Sequence, residues 1–356
     1  MTDQNYPAME GPVCPMPLPH DKTIVMGHGA GGKMSQELIQ QLFQARFISP
    51  ALQEGNDFGR LVLPEGPGHL AVSTDMHMVS PLFFPGGDIG KLAVCGTVND
   101  MAMSGGKPLA ITVSFILEEG LDIKILSAVV DSMATAAKEA GVEIIAGDTK
   151  VAGKGEADQI FINTTGIAWV PEDRIIGGQY AKPGDKVILS GTMGDHGIAV
   201  LAARGELGFE IDTQSDVAPL NALIEAVLEA APNTHVLRDP TRGGVGTTLN
   251  EIAKQSHTSI WLEETALPIQ PAVQAACEML GFDPLYIANE GKLIVICPTE
   301  QAESALNAMK NNPFGENAVV IGEVKASDPG KVLLRTLFGT TRFVDSLAGE
   351  ILPRIC

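Results

Sequence analysis

The residues of this chain best suited to chemistry stand at its end. The sequence closes on Pro353-Arg354-Ile355-Cys356, and a terminal cysteine has no packing reason to be there, because chain ends are normally frayed and solvated. Free cysteine is usually a small buried hydrophobe or is kept for its sulfur chemistry. On a loose strap the thiol can be carried into a pocket and out again. From Leu347 an extended tail reaches about 33 Å, at roughly 3.3 Å per residue. The adjacent α-carboxylate raises the thiol pKa, and Arg354 offsets this only in part. Such a thiol must be activated by the pocket it enters.

Acids and glycines suggest what that pocket handles. Leu70 to Asp75 reads as a buried strand ending in an acid. Lys91 opens an apolar helix that runs to Asn99-Asp100-Met101-Ala102. Val142 to Ala146 reads as a buried strand leading into Gly147-Asp148-Thr149-Lys150. Asp75, Asp100 and Asp148 are therefore expected at the ends of regular elements, where loops gather. Converging carboxylates repel unless a cation sits between them, and magnesium favours a few carboxylates plus phosphate oxygens. One such Asp alone reads as a cap or turn residue; three favour the cation.

Gly27-His28-Gly29-Ala30-Gly31-Gly32 formally matches GxGxxG, yet no second strand ending in an acid follows at the spacing a dinucleotide fold requires. Glycine amides closing over phosphate are the more economical function, with a plain linker as the alternative. Arg238-Asp239-Pro240-Thr241-Arg242-Gly243-Gly244 joins an acid, two arginines and free amides where a helix opens near Thr247. That suits an anion and its metal. Asn289-Glu290-Gly291-Lys292 precedes a buried strand, Leu293 to Cys297, so Glu290 is a candidate general base or a turn ion pair. His196, in Gly194-Asp195-His196-Gly197, reads as a loop histidine satisfied by backbone.

The elements that must position these groups divide the chain. Residues 1–22 carry five prolines and read as a flexible extension, with Cys14 incidental. Residues 23–169 form a first α/β domain: a short strand from Thr23 to Met26, a helix from Ser35 to Phe47, a strand from Ile111 to Leu117, and a helix from Ile123 to Ala140 stopped by Gly141. The pattern restarts near Val170. Residues 170–345 form a second domain, with a strand from Lys186 to Ser190, a helix from Ile198 to Arg204 and a last strand from Lys331 to Leu337. Residues 346–356 are the tail. Cys95, Cys277 and Cys297 lie in apolar periodic segments and are expected in the core.

Composition removes several functions. A formal net charge of −19 repels polyanions, which argues against nucleic acid. No apolar run is long enough to span a bilayer, so no membrane role is expected. The five cysteines form no CxxC pair and no disulfide framework, which suits a reducing cytoplasm.

Taken together, the glycine loop, Ser73-Thr74-Asp75, Pro85-Gly86-Gly87-Asp88-Ile89-Gly90-Lys91, Asn99-Asp100, Gly147 to Lys150, Gly194 to Gly197, Arg238 to Gly244, Asn289 to Lys292 and the terminal Pro-Arg-Ile-Cys closely resemble the HypE family of hydrogenase maturation proteins. That family belongs with aminoimidazole ribonucleotide synthetase, selenophosphate synthetase and thiamine-phosphate kinase. The resemblance runs from about Ile24 to Cys356, and the terminal motif singles out HypE. It implies a two-domain α/β (α+β) fold of the aminoimidazole ribonucleotide synthetase type, with an N-terminal sheet pairing across a homodimer and a mobile tail. It also implies a carbamoyl dehydratase. A HypF-like carbamoyltransferase loads Cys356, ATP converts the S-carboxamide to a thiocyanate, and the cyanide passes to iron on a HypC–HypD complex.

By the same resemblance magnesium (Mg2+) falls to Asp75, Asp100 and Asp239. Nucleotide or phosphate contact falls to Gly29, Gly31, Gly32, Lys91, Asn99, Asp148 and Thr149, and proton transfer to Glu290 and Lys150. Three alternatives differ in the chemistry they need. A selenophosphate synthetase would carry its reactive Cys beside the glycine loop, where this chain has His28. A purine-type synthetase has no use for a terminal cysteine. A nonenzymatic metal chaperone would hold iron at Cys356, although soft-metal sites usually gather several ligands.

Overall fold

A computed structural model describes residues 22–205, 211–347, 349, 352 and 354–356. The Pro-rich extension, with Cys14, lies outside the described residues except for Lys22.

The N-terminal half opens with α1 (Lys33–Leu38), which continues as a π-helix over Ile39–Gln44, and a short α2 (Pro50–Gln53). β1 (Gly68–His77) is followed by a two-residue ladder of β2 (Phe83–Phe84) and β3 (Gly87–Asp88). Then come α3 (Ile89–Met103), β4 (Lys107–Glu118), α4 (Ile123–Ala140), β5 (Glu143–Ala152) and β6 (Ile160–Pro171). The sheet order is β1-β6-β4-β5, with only β4 and β5 parallel.

α4 shows why the sequence folds this way. Leu126, Val129, Val130, Met133, Ala137 and Ala140 recur at helical spacing and are buried, Asp122 caps the start through Lys124 N, and Gly141 takes the left-handed conformation (φ 69°) that ends it. α3 is buried on nearly all sides. Its N-terminus is tied by the Asp88 carboxylate, which accepts from Gly90 N at 2.7 Å and Lys91 N at 3.2 Å.

The C-terminal half contains β7 (Lys186–Leu189), α5 (Asp195–Ala203), α6 (Asn221–Ala230), β8 (Val236–Arg238), α7 (Gly244–Ser256) and β9 (Ser259–Glu263). It continues through α8 (Pro271–Leu280), β10 (Ile294–Cys297), α9 (Thr299–Lys310), β11 (Val319–Lys325), β12 (Val332–Arg335) and β13 (Thr341–Phe343). Its seven strands run β13-β12-β9-β11-β7-β10-β8. One apolar cluster packs α7 against Val187, Ile260 and Ile294; another packs α6 and α9 against Ile188, Leu237 and Val295. Alternate residues of β7, β8 and β10 thus face opposite helical layers, as a sheet covered on both sides requires. Cys95, Cys277 and Cys297 are buried as expected.

Several expectations are corrected. Asp75 and Asp148 lie inside β1 and β5, and Asp100 lies inside α3, so none of the three sits at an element end. The strands extend further because their polar residues face away from the core without breaking the ladder. Thr23 makes only an isolated bridge to Asp122 before a 3-10 turn at Met26–Gly29, so no strand forms there. Lys331 to Leu337 is not the last strand, because the chain turns back to add β13. Among the described residues no helix is long and apolar enough to cross a membrane.

Candidate active site

The end of the chain lies between the two halves, held largely by its own backbone. Met78 N donates to the terminal Cys356 O at 3.2 Å, and Ser80 N donates to Arg354 O at 3.2 Å. Arg204 Nη2 reaches Arg354 O at 2.9 Å, and His196 Nε2 stands 3.0 Å from Ile355 O. Leu352 and Ile355 are buried with Ile198, Leu201, Val273 and Ile287, an apolar anchor worth about 2 kcal/mol per side chain. The Arg354 guanidinium pairs with Asp158. This seats Cys356 Sγ 3.1 Å from Arg242 Nε, which donates to it. Burial, then the nearby Glu290 charge, push the thiol up to about 12, and Arg242 counters only in part.

Glu290 is the buried acid facing this sulfur. It is 5% exposed, and its Oε1 has no hydrogen-bond partner. Burial first, then Asp216, Asp239, Asp75 and Asp100, hold its carboxyl well above the usual glutamate range. Its backbone is fixed by Asp216, whose carboxylate accepts from Glu290 N (3.1 Å) and Gly291 N (3.2 Å) and pairs with Lys292 Nζ (3.1 Å). Residue 291 must be glycine, since a Cβ there would collide with the Asp216 carbonyl. Asn99 of α3 reaches across to the same segment: its amide donates to Ala218 O (3.0 Å) and Glu290 O (3.4 Å) and accepts from Leu220 N (2.7 Å).

The three expected metal acids border the same region. Asp100 accepts from Ser73 Oγ at 2.7 Å, and its charge reaches the Asp239 carboxyl. Burial and the charge of Asp100 push Asp239, just beyond β8, up to about 7. Asp75 Oδ2 stands 3.7 Å from His77 Nε2. Ser73, Asp100, Asp239 and Arg242 line one cleft of about 510 Å³. Among the described residues no three His, Cys, Asp or Glu side chains are gathered closely enough to hold a metal ion. The donor set nevertheless fits a hard cation: it is oxygen only, and burial followed by the charge of Asp100 drives Asp239 toward protonation, a charge that a cation would neutralise.

The glycine loop belongs to a different cavity. Gly29, Gly31, Asp148, Thr149 and Lys150 line about 180 Å³ floored by Ile39, Phe43 and Phe115. Ser35 pins the loop, accepting from Gly31 N at 2.9 Å and donating to Gly27 O at 3.1 Å. A Cβ on Gly29 would lie 2.7 Å from Val151 N, so the loop packs directly on β5. Gly32 caps α1 and is not part of this lining. Lys150 Nζ sits 3.0 Å from Asp148, whose carboxyl it holds below the usual range. Lys91 lines a third cavity, with Lys292 and Asp216.

The structure thus gathers Cys356, Glu290, Asp75, Asp100 and Asp239 and separates them from Lys150, Asp148, Thr149 and Lys91. The Asn99 side chain is spent on backbone groups. His196 is not a loop residue but a buried member of α5 that touches the tail. Sequence reasoning named Arg242 only as an anion contact and missed Arg204 and Asp216. Asp216 stands in a stretch without periodicity or motif, so nothing local marked it.

The AIR synthase related protein N-terminal domain matches residues 56–170, and the corresponding C-terminal domain matches residues 182–335. Carbamoyl dehydratase HypE of Cupriavidus necator is 53% identical over 94% of this chain and 95% of its own length. A solved structure of hydrogenase maturation protein HypE in complex with ATP superposes with a TM-score of 0.89 at 50% identity, covering 94% of this chain and all of that one. The HypE chain of a HypE–HypF complex gives 0.76 at 49% identity, over 87% of this chain and 99% of that one. With two AIR synthase related domains in series and such identity along nearly its whole length, the chain belongs to the HypE family.

Proposed function

We propose that this protein is an ATP-dependent carbamoyl dehydratase that converts an S-carboxamide on Cys356 to a thiocyanate. The observation that carries the reading is the seat of Cys356 Sγ against Arg242 Nε, within the field of Glu290, whose buried Oε1 has no hydrogen-bond partner. Atoms balance when the carboxamide oxygen takes the γ-phosphoryl of ATP and leaves as phosphate. The amide nitrogen loses both protons and its carbon becomes a nitrile. Glu290 is placed to take a proton: a carboxylate whose pKa is raised by burial is a stronger base once ionised. Arg242 faces the sulfur, where its charge steadies electron density drawn onto that atom.

Asp75, Asp100 and Asp239 are the residues that would hold magnesium, which when bound spreads the charge of a transferring phosphoryl group. Gly29, Gly31, Gly32, Asp148, Thr149, Lys91 and Asn99 are assigned to the nucleotide. The apolar floor beside the glycine amides supports Gly29, Gly31, Asp148 and Thr149, and the ATP complex of a relative supports the ligand. Lys150 is assigned to proton relay. We assign residues 23–169 and 170–345 to the two domains and 346–356 to a tail that swings. A HypF-like carbamoyltransferase supplies the carbamoyl group, which the HypE–HypF complex of a relative supports. A HypC–HypD complex accepts the cyanide.

The test is the intact mass of the protein after incubation with carbamoyl phosphate, HypF and ATP. The parent should carry a carboxamide that then loses one water, with ADP released; Cys356→Ala should carry no adduct; Glu290→Gln should load but keep the carboxamide. An adduct on another cysteine in Cys356→Ala, or parental conversion in Glu290→Gln, overturns the corresponding role. A metal chaperone would release no ADP.

A further inference from the structure

His196 is fully buried and meets the Phe84 ring edge-on at 5.4 Å, so its ring has one orientation. Nε2 lies 3.0 Å from Ile355 O and Nδ1 lies 2.8 Å from Ser215 Oγ. A carbonyl oxygen only accepts, so Nε2 must carry the proton. Burial disfavours the charged ring and lowers its pKa, which leaves Nδ1 as an acceptor for the Ser215 hydroxyl. Ser215 Oγ in turn accepts from Val217 N at 3.2 Å. The hydrogen bonds therefore run in one direction, from Val217 through Ser215 and His196 to Ile355. Between Ser215 and Val217 stands Asp216, whose carboxylate holds the amides of Glu290 and Gly291. One short segment thus registers both the docked tail and the acid that faces it. Beside it Arg204 bridges the halves, with Nε on Ser80 O at 3.0 Å and Nη2 on Arg354 O at 2.9 Å.

We propose that His196 and Arg204 are positioning residues that latch the tail by its main chain: they hold the carbonyls of Ile355 and Arg354, and so set Cys356 Sγ in register with Arg242 and Glu290. The inference rests on reading Cys356 as the reacting group. Neither residue touches a reacting atom. The latch holds main-chain carbonyls, so it leaves the thiol free to carry a carbamoyl or cyano group and still redock.

Two readouts test the latch on the full-length protein. The first is the rate at which iodoacetamide alkylates Cys356 without nucleotide. The second is single-turnover conversion of carboxamide-loaded protein after ATP is added. His196→Leu and Arg204→Ala should alkylate roughly five- to tenfold faster, the worth of one hydrogen bond. They should load carbamoyl normally and convert it more slowly, because the docked thiol is less well held in register, with the KM for ATP unchanged. His196→Gln keeps a donor near the Nε2 position and should recover most of both rates. Should His196→Leu fail to fold, His196→Asn, whose amide is too short to reach Ile355 O, replaces it. Parental alkylation in both the His196 and Arg204 variants overturns the latch, as does a Gln variant no better than Leu or Asn. If Cys356 were not the reacting group, no adduct would form on Cys356 even in the parent, whereas the alkylation readout would still report on the latch.

Discussion

Docked between Arg242 and Glu290, the Cys356 thiol keeps its proton far into alkaline solution, because burial pushes its pKa from the ordinary 9.0 up to about 12. A group whose pKa rises on docking favours the docked state while it is protonated in both states. Docking should therefore be at full strength below the free thiol's pKa, and weaken as pH climbs from about 9 toward 12. Trypsin can read this by cutting after Arg354. From pH 7.5 to pH 9.5 the loss of Ile355-Cys356 should accelerate more in the parent than in Cys356→Ser, at protease rates normalised on a peptide. Identical acceleration in the two proteins would show that the thiol's proton does not govern docking. At this scale the sequence named the terminal cysteine, Glu290 and the acids, because unusual residue types stand out singly. His196, Arg204 and Asp216 stayed hidden because their roles depend on partners distant in the chain: 159 residues separate His196 from Ile355, and 75 separate Asp216 from Gly291.

Element geometry explains why the acids need a counter-charge. α3 carries Asp100 and the end of β8 delivers Asp239, so two independently packed elements force the carboxylates together. Asp100→Asn should relieve that repulsion and raise the Tm of the metal-free protein by about 2 °C. It should also abolish the further rise that magnesium with ATP gives the parent. Thermal melts with and without magnesium check this; a variant that magnesium-ATP still stabilises as it does the parent would remove Asp100 from the metal site. Elements with strong local signals were legible. α4 matches its expected bounds, Ile123 to Ala140, because its apolar stripe and Gly141 cap agree. β6 carries no continuous strand signal in its sequence. Its Asn163-Thr164-Thr165-Gly166 centre looks like a turn, yet Thr164 is buried and its hydroxyl bonds Thr97 and Ala93 O. There the pairing partners on both sides override local preference.

At the scale of the whole molecule, nothing among the described residues covers one face of the N-terminal sheet along its edge. Along the edge strand β1, Leu70, Val72 and Met76 are 51%, 66% and 52% exposed and point to the same side. Trp169 and Ile167 of β6 stand opposite Leu70 and Val72. A chain with net charge −19 that still carries so apolar a strip has a reason to cover it. An open edge with such a face is suited to another copy, as the homodimer reading proposes. Val72→Glu places a charge in the middle of that strip without touching either core. The parent should sediment as a dimer and Val72→Glu as a monomer with unchanged circular dichroism. A variant that remains dimeric would move the interface elsewhere, and a monomeric parent would remove the dimer altogether. Val72 also lines the cleft that holds Asp100 and Asp239, so the readout that separates assembly from tail docking is thiol alkylation: Cys356, Glu290, Arg242 and the tail latch all belong to one chain. Monomeric Val72→Glu should therefore keep the slow alkylation of its docked thiol.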